Sequence, residues 1–223
     1  MKKIDSFHYI THPLTDYPIA RQVDDVCRCG CTWIQLRLKQ SDTEERLDTA
    51  LSVYPVLKRY NAKLIINDDV HVALAADADG VHIGARDMHP SDARHMLGPN
   101  KIIGCTANTL DDVLRLSQYD IDYIGVGPFR FTSTKEKLSP VLGREGIHRI
   151  VAAARIHGVC LPIIAIGGIM PRHIAAVMET GVHGIAVSGA ICGADDPSAA
   201  SQAIMKQLAD YRSPTADHQS PKR

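Results

Sequence analysis

The chain has 223 residues, 45% hydrophobic and 22% charged, which suits one large globular domain and excludes wholesale disorder, collagen and coiled coil. Its 25 Lys and Arg are matched by 25 Asp and Glu, so it lacks the broad positive field that nucleic-acid binding needs. The longest apolar stretches, such as 161–166, fall far short of the ~20 residues of a membrane span. Asp5, Ser6 and His8 interrupt the amino-terminal region where a secretion signal would be continuously apolar. The expected setting is cytoplasmic, with no nucleic-acid or membrane partner, and a homo-oligomer is compatible with the chain. The six cysteines of a long, signal-free chain are expected to be reduced. Cys27, Cys29 and Cys31 lack the spacing and the second cluster of a zinc site and are read as packing residues.

Short β-rich apolar runs alternate with longer amphipathic ones along the whole chain. Strands are expected at Phe7–Thr11, Thr32–Arg37, Ala62–Ile66, Gly80–Ile83, Lys101–Cys105, Asp122–Val126, Pro162–Ile166 and Gly184–Val187. Helices are expected near 18–29, 42–59, 69–76, 90–97, 109–118, 145–157, 171–179 and 197–211. Asp42, Thr109, Pro90 and Pro171 supply start signals for four of them. Eight such pairs predict a single α/β domain, a closed (β/α)8 TIM barrel over residues 1–212. A doubly wound open sheet is the competing architecture, and it lacks its glycine-rich signature, since Thr11, His12 and Pro13 follow the first strand. Residues 213–223 are polar and proline-bearing and are expected to form a disordered tail.

In a barrel, residues after the carboxyl ends of the strands converge on one mouth, so distant positions pool into one site. Gln35, Arg37 and Lys39 alternate and face one side, where they can grip an anion. Asp68 and Asp87 follow strands three and four, and Mg²⁺ commonly takes one or two carboxylates together with substrate phosphate oxygens. Helix capping is the competing role for these aspartates and the preferred one for Asp69. His82, on strand four, is read as a packed, hydrogen-bonded residue. Thr106 and Asn108 bring a hydroxyl and an amide. A long segment after strand six offers Thr132, Ser133, Thr134 and Lys135, a lining for phosphate oxygens. Gly167 and Gly168, with Ser188 and Gly189, stand where barrels often hold a phosphate on backbone N–H groups. Two anionic groups are therefore expected at one mouth, with a metal and cations placed to stabilise a departing pyrophosphate.

The ordered set IQLRLK (34–39), IINDD (65–69), ADGVHIGARDM (78–88), IIGCTANT (102–109), YIGVGPFRFTSTK (123–135), AIGGI (165–169) and AVSGAI (186–191) resembles the thiamine phosphate synthase family over roughly residues 7–191. The resemblance implies a Mg²⁺-dependent transferase that condenses 4-amino-2-methyl-5-hydroxymethylpyrimidine diphosphate with 4-methyl-5-(2-phosphoethyl)thiazole. It implies that Arg37, Lys39 and Lys135 are catalytic and, with Gln35, Asn67 and Thr106, hold the diphosphate. Asp68 and Asp87 would bind the metal, while Thr132, Thr134, Gly168, Val187 and Ser188 would surround the thiazole phosphate. Leu38, Ala85 and the Phe129–Phe131 turn depart from the family pattern. A related thiazole tautomerase and a catalytically silent phosphate sensor are the alternatives. The tautomerase pattern has histidine where Pro128 stands, and a sensor of one monophosphate has no need of both aspartates.

Overall fold

The structure, a computed structural model, describes residues 2–14, 16–132 and 140–212. The alternating pattern becomes eight parallel strands: β1 (Phe7–Ile10), β2 (Trp33–Leu36), β3 (Lys63–Asn67), β4 (Gly80–Ile83), β5 (Ile102–Ala107), β6 (Tyr123–Val126), β7 (Ile163–Ile166) and β8 (Gly184–Val187). They pair in chain order and close through β8 onto β1, with Phe7 opposite Ile185 and Tyr9 opposite Val187. The expected (β/α)8 barrel is therefore present and the open sheet is excluded. The connecting helices are α1 (Ile19–Arg28), α2 (Thr43–Tyr60), α3 (Val70–Ala75), α4 (Pro90–Leu97), α5 (Leu110–Leu116), α6 (Gly143–Ile156), α7 (Ile174–Met178, after a 3-10 turn at Pro171–His173), α8 (Gly189–Cys192) and α9 (Pro197–Arg212).

Local chemistry explains the helix starts. The Asp42 carboxylate accepts from the Glu45 N–H, and Thr109 and Asp112 form a reciprocal capping box. Strand β5 runs two residues further than expected because Thr106 and Ala107 stay paired with Gly125 and Val126. The four-residue α8 is too short to leave a periodic signature. No helix among the described residues is long and apolar enough to cross a membrane.

Two cores follow from the alternation of the strands. Outward-facing Tyr9, Ile34, Leu64, Val81, Ile103 and Ile124 pack under the helices. Inward-facing Ile10, Trp33, Ile65, Ile102, Tyr123, Ile164 and Ala186 fill the barrel, and Ile4 joins them from the amino-terminal segment. His8 stacks on Trp33 at 4.2 Å, and Nε2 of its imidazole lies 2.8 Å from the Asp5 carbonyl. Burial drives the His8 pKa down to about 3, so the ring is neutral near pH 7. The amino-terminal ends of the strands are thereby closed, leaving the carboxyl-terminal ends as the mouth.

Candidate active site

Inward-facing Gln35, on β2, is buried and donates from Nε2 to Oδ1 of Asn67, on β3, at 2.7 Å. Continuing with the same parity, Arg37 is half-buried, and its backbone N–H donates to the Thr11 hydroxyl at 3.0 Å. Lys39 is exposed and forms an ion pair with Asp68. The pairing of Ile10 with Gln35, carried two residues on, sets His12 beside Arg37. Partial burial, helped by the Arg37 charge, lowers the His12 pKa. The segment bearing His12 is pinned by the buried Gln22 amide. That amide accepts from the Tyr9 hydroxyl at 2.8 Å and the His12 N–H at 3.1 Å, and donates to the carbonyls of His12 and Tyr17 at 2.6 and 2.7 Å.

Asp68 and Asp69 take different roles. Asp69 caps α3, accepting from the Val72 N–H at 3.0 Å while its other oxygen pairs with Arg46 at 3.0 Å. Asp68 instead adopts a left-handed φ of 67°, and its N–H donates to the His82 carbonyl at 2.8 Å, so its carboxylate is left for Lys39 and Asp87. Asp87 closes the turn after β4, its carboxylate accepting from the Gly84 N–H at 2.7 Å. Solvent reaches Asp87, yet its pKa is raised, first by partial desolvation and then by the hydrogen-bonded neighbour Asp68, against the opposing Gly84 N–H and Lys39. A carboxylate whose ionisation is opposed by a second carboxylate in contact with it marks a place suited to a divalent cation. Among the described residues no group of three His, Cys, Asp or Glu could hold a metal. A cation there would complete its shell with ligand oxygens and water, the usual habit of Mg²⁺.

Thr106 ends the same arc of the mouth. Its hydroxyl lies 2.9 Å from His82 Nε2, and it lines a cavity of about 110 Å³ together with Gly84, Ala85 and Asp87. The opposite arc is built from β6, β7 and β8. Gly167 and Gly168 have φ of 94° and 65°, a conformation that favours glycine. A Cβ on Gly168 would also stand 2.6 Å from the Phe131 carbonyl oxygen. The segment after β6 crosses there, with the Phe129 N–H donating to Ile166 at 2.8 Å and the Arg130 N–H to Gly167 at 2.9 Å. Val187 ends β8 with its side chain in the outer core, so its backbone is what it can offer the mouth. Ser188 follows it directly and leads into α8. Thr132 is half-buried. Thr134 and Lys135 lie outside the described residues, as does the tail 213–223.

The structure thus brings Gln35, Arg37, Lys39, Asn67, Asp68, Asp87 and Thr106 to adjacent strand ends on one arc, and Gly168, Val187 and Ser188 to the other. The reading of His82 as packed and hydrogen-bonded agrees with its burial and its contacts to Tyr123 and Thr106, whereas reasoning from sequence did not single out His12 or Tyr123. The signal was available in the parity of the strands, which puts His12 level with Arg37 and aims His82 and Tyr123 inward.

The sequence model of a family described as thiamine monophosphate synthase matches residues 7–191. A curated thiamine-phosphate synthase of Bacteroides fragilis is 47% identical over 192 residues, covering 86% of this chain and 94% of that protein. One from Bacteroides thetaiotaomicron is 44% identical, covering 90% and 96%. Among solved structures, a thiamine phosphate pyrophosphorylase from Pyrococcus furiosus superposes with a TM-score of 0.81 at 33% identity, covering 93% of this chain and 96% of that one.

Proposed function

The chain belongs to the thiamine monophosphate synthase family and is a transferase, and on that premise we propose that it condenses 4-amino-2-methyl-5-hydroxymethylpyrimidine diphosphate with 4-methyl-5-(2-phosphoethyl)thiazole, or its carboxylated form, to thiamine phosphate and pyrophosphate. The observation that carries this reading is the division of the mouth into two arcs. One is charged and carboxylate-bearing, suited to a diphosphate with its metal. The other is neutral and glycine-lined, suited to a monophosphate held by backbone N–H groups.

In this reading Arg37 and Lys39 hold the diphosphate, joined by Lys135, while Gln35 and Asn67, bonded to each other, present a shared amide edge beside it. Asp68 and Asp87 fit Mg²⁺ because they already stand in contact with a surplus of negative charge. When bound there, Mg²⁺ supplies positive charge against which pyrophosphate can depart. Arg37, Lys39 and Lys135 act in the same sense, stabilising charge that grows as the carbon–oxygen bond breaks, and the thiazole nitrogen captures the pyrimidine methyl cation left behind. Thr132, Thr134, Gly168, the Val187 backbone and Ser188 hold the thiazole phosphate on the facing arc, which orients that nitrogen. All six cysteines are free, in keeping with the assignment of the reaction to the cytoplasm.

Incubation of the purified protein with both substrates and Mg²⁺ tests the reading. Equal amounts of pyrophosphate and thiamine phosphate are expected, and omission of either substrate should abolish both products. Isomerisation of a thiazole phosphate without any need for the diphosphate would overturn it in favour of a tautomerase.

A further inference from the structure

The barrel interior holds a polar chain that ends on Thr106 at the mouth and whose inner members, Tyr123 and His82, have no part in the reaction above. Tyr123 lies inside the barrel at 1% exposure, and its hydroxyl is 3.0 Å from Nδ1 of His82. Nε2 of the same ring lies 2.9 Å from the Thr106 hydroxyl at the mouth. Two glycines make room for this stack. A Cβ on Gly104 would fall 2.1 Å from the Tyr123 ring, and one on Gly125 would fall 3.1 Å from Cε1 of His82.

The direction of the hydrogen bonds follows from satisfaction of the buried phenol. Burial above all, with the nearby Cys105 and Asp122, raises the Tyr123 pKa well above its usual value, so the group keeps its proton. Among the described residues its hydroxyl has one hydrogen-bond partner, His82 Nδ1. A buried O–H that donates to nothing costs about 1–3 kcal/mol, so the phenol donates and Nδ1 accepts. A neutral imidazole accepting at Nδ1 carries its proton on Nε2. That N–H then donates to Thr106, occupying one of the hydroxyl's lone pairs and leaving the Thr106 O–H, at the carboxyl end of β5, to donate to a partner at the mouth.

We propose that His82 is a positioning residue: the chain Tyr123 to His82 to Thr106 runs one way and fixes the Thr106 hydroxyl as a donor to an acceptor atom of the pyrimidine diphosphate. The identity of that acceptor rests on the synthase reading. The direction of the chain does not.

The direction is read on the unaltered protein from ¹⁵N spectra of its histidine rings, with His82 assigned by comparison with His82→Gln. The Nε2–H tautomer is expected; Nδ1–H or a doubly protonated ring overturns the proposal. Kinetics test the consequence. Glutamine can place an amide donor near the Nε2 position, whereas asparagine reaches only the Nδ1 position. His82→Gln is therefore expected to keep kcat/KM for the pyrimidine diphosphate within about threefold, and His82→Asn to lower it about tenfold or more, with thiazole phosphate affinity unchanged in both. In a Thr106→Ala background, His82→Asn should add less than about a twofold loss, because the two residues act as one unit. Equal losses for Gln and Asn, or additive losses with Thr106→Ala, would reduce His82 to a packing residue. A wild-type protein that makes no thiamine phosphate would sink the synthase reading, whereas an Nδ1–H ring sinks the chain whatever the turnover.

Discussion

Asp122 and Asp87 are both aspartates at strand ends, one below the barrel and one above it, and their surroundings differ in kind. A single oxygen of Asp122 takes Lys2 at 3.0 Å, Arg94 at 2.8 Å and the Ile103 N–H at 2.8 Å. Every charge there is matched, and Arg94 also binds the carbonyls of Gly98 and Lys101 at 2.8 and 2.6 Å. Asp87 has one backbone N–H and a second carboxylate, Asp68, as its neighbours, with Lys39 shared between them. The lower cluster uses charge to tie the amino-terminal segment and α4 to the barrel. The upper cluster sets two carboxylates against the single Lys39 ammonium, an arrangement that on the proposed reading is kept for a cation. On the proposed reading, what surrounds an aspartate tells the structural one from the functional one.

The contrast predicts that lower-end substitutions weaken the fold and mouth substitutions weaken the reaction. Trp33, fully buried between His8 and Tyr123, carries the largest effect: Trp33→Ala should cost about 3–5 kcal/mol in denaturant unfolding. A loss below about 1 kcal/mol would mean that the interior is not packed as described. Arg37→Ala should leave the melting temperature nearly in place while kcat/KM for the pyrimidine diphosphate falls about 10²–10³-fold, the usual scale for a lost transition-state contact. Equal changes in stability and rate would erase the distinction between the two ends. Asp122→Asn removes the shared anion from two cations and should cost about 3 kcal/mol in stability, with turnover per folded molecule unchanged.

The smallest effect is a slope. His8 titrates near 6.5 when unfolded and at about 3 when folded, so between those values the unfolded chain binds the extra proton. Its contribution is complete above about pH 6.5 and declines by at most about 1.4 kcal/mol per pH unit as the pH falls toward 3. Removing that titration by His8→Gln should flatten the acid limb of a stability-versus-pH curve. An unchanged limb would show that His8 is not held neutral.

Much of the fold was legible because the barrel is written locally. Runs such as KLIIN and YIGV alternate with amphipathic helices, and Asp42, Thr109 and Pro90 mark helix starts by chemistry confined to one turn. The site was legible to the extent that it consists of strand-end residues, since closure of the barrel delivers those to one rim. What escaped depends on contacts across the sheet. Asp68 and Asp69 are adjacent and chemically identical, and only the left-handed backbone at Asp68, held by the His82 carbonyl, separates the mouth residue from the helix cap. Tyr123 and His82 are 41 positions apart, and neither shows from its own neighbours that the two share a hydrogen bond leading to Thr106.

The central claim, that the mouth carries a surplus of carboxylate charge kept for the reaction, is tested most directly by Asp87→Asn, whose amide oxygen can still accept from the Gly84 N–H. Turnover to thiamine phosphate and the free energy of unfolding should be measured on the same preparation. The account predicts that turnover collapses while stability is unchanged or rises, because the repulsion from Asp68 is relieved. Full turnover in the variant, or a loss of stability comparable to that of Asp122→Asn, would contradict it.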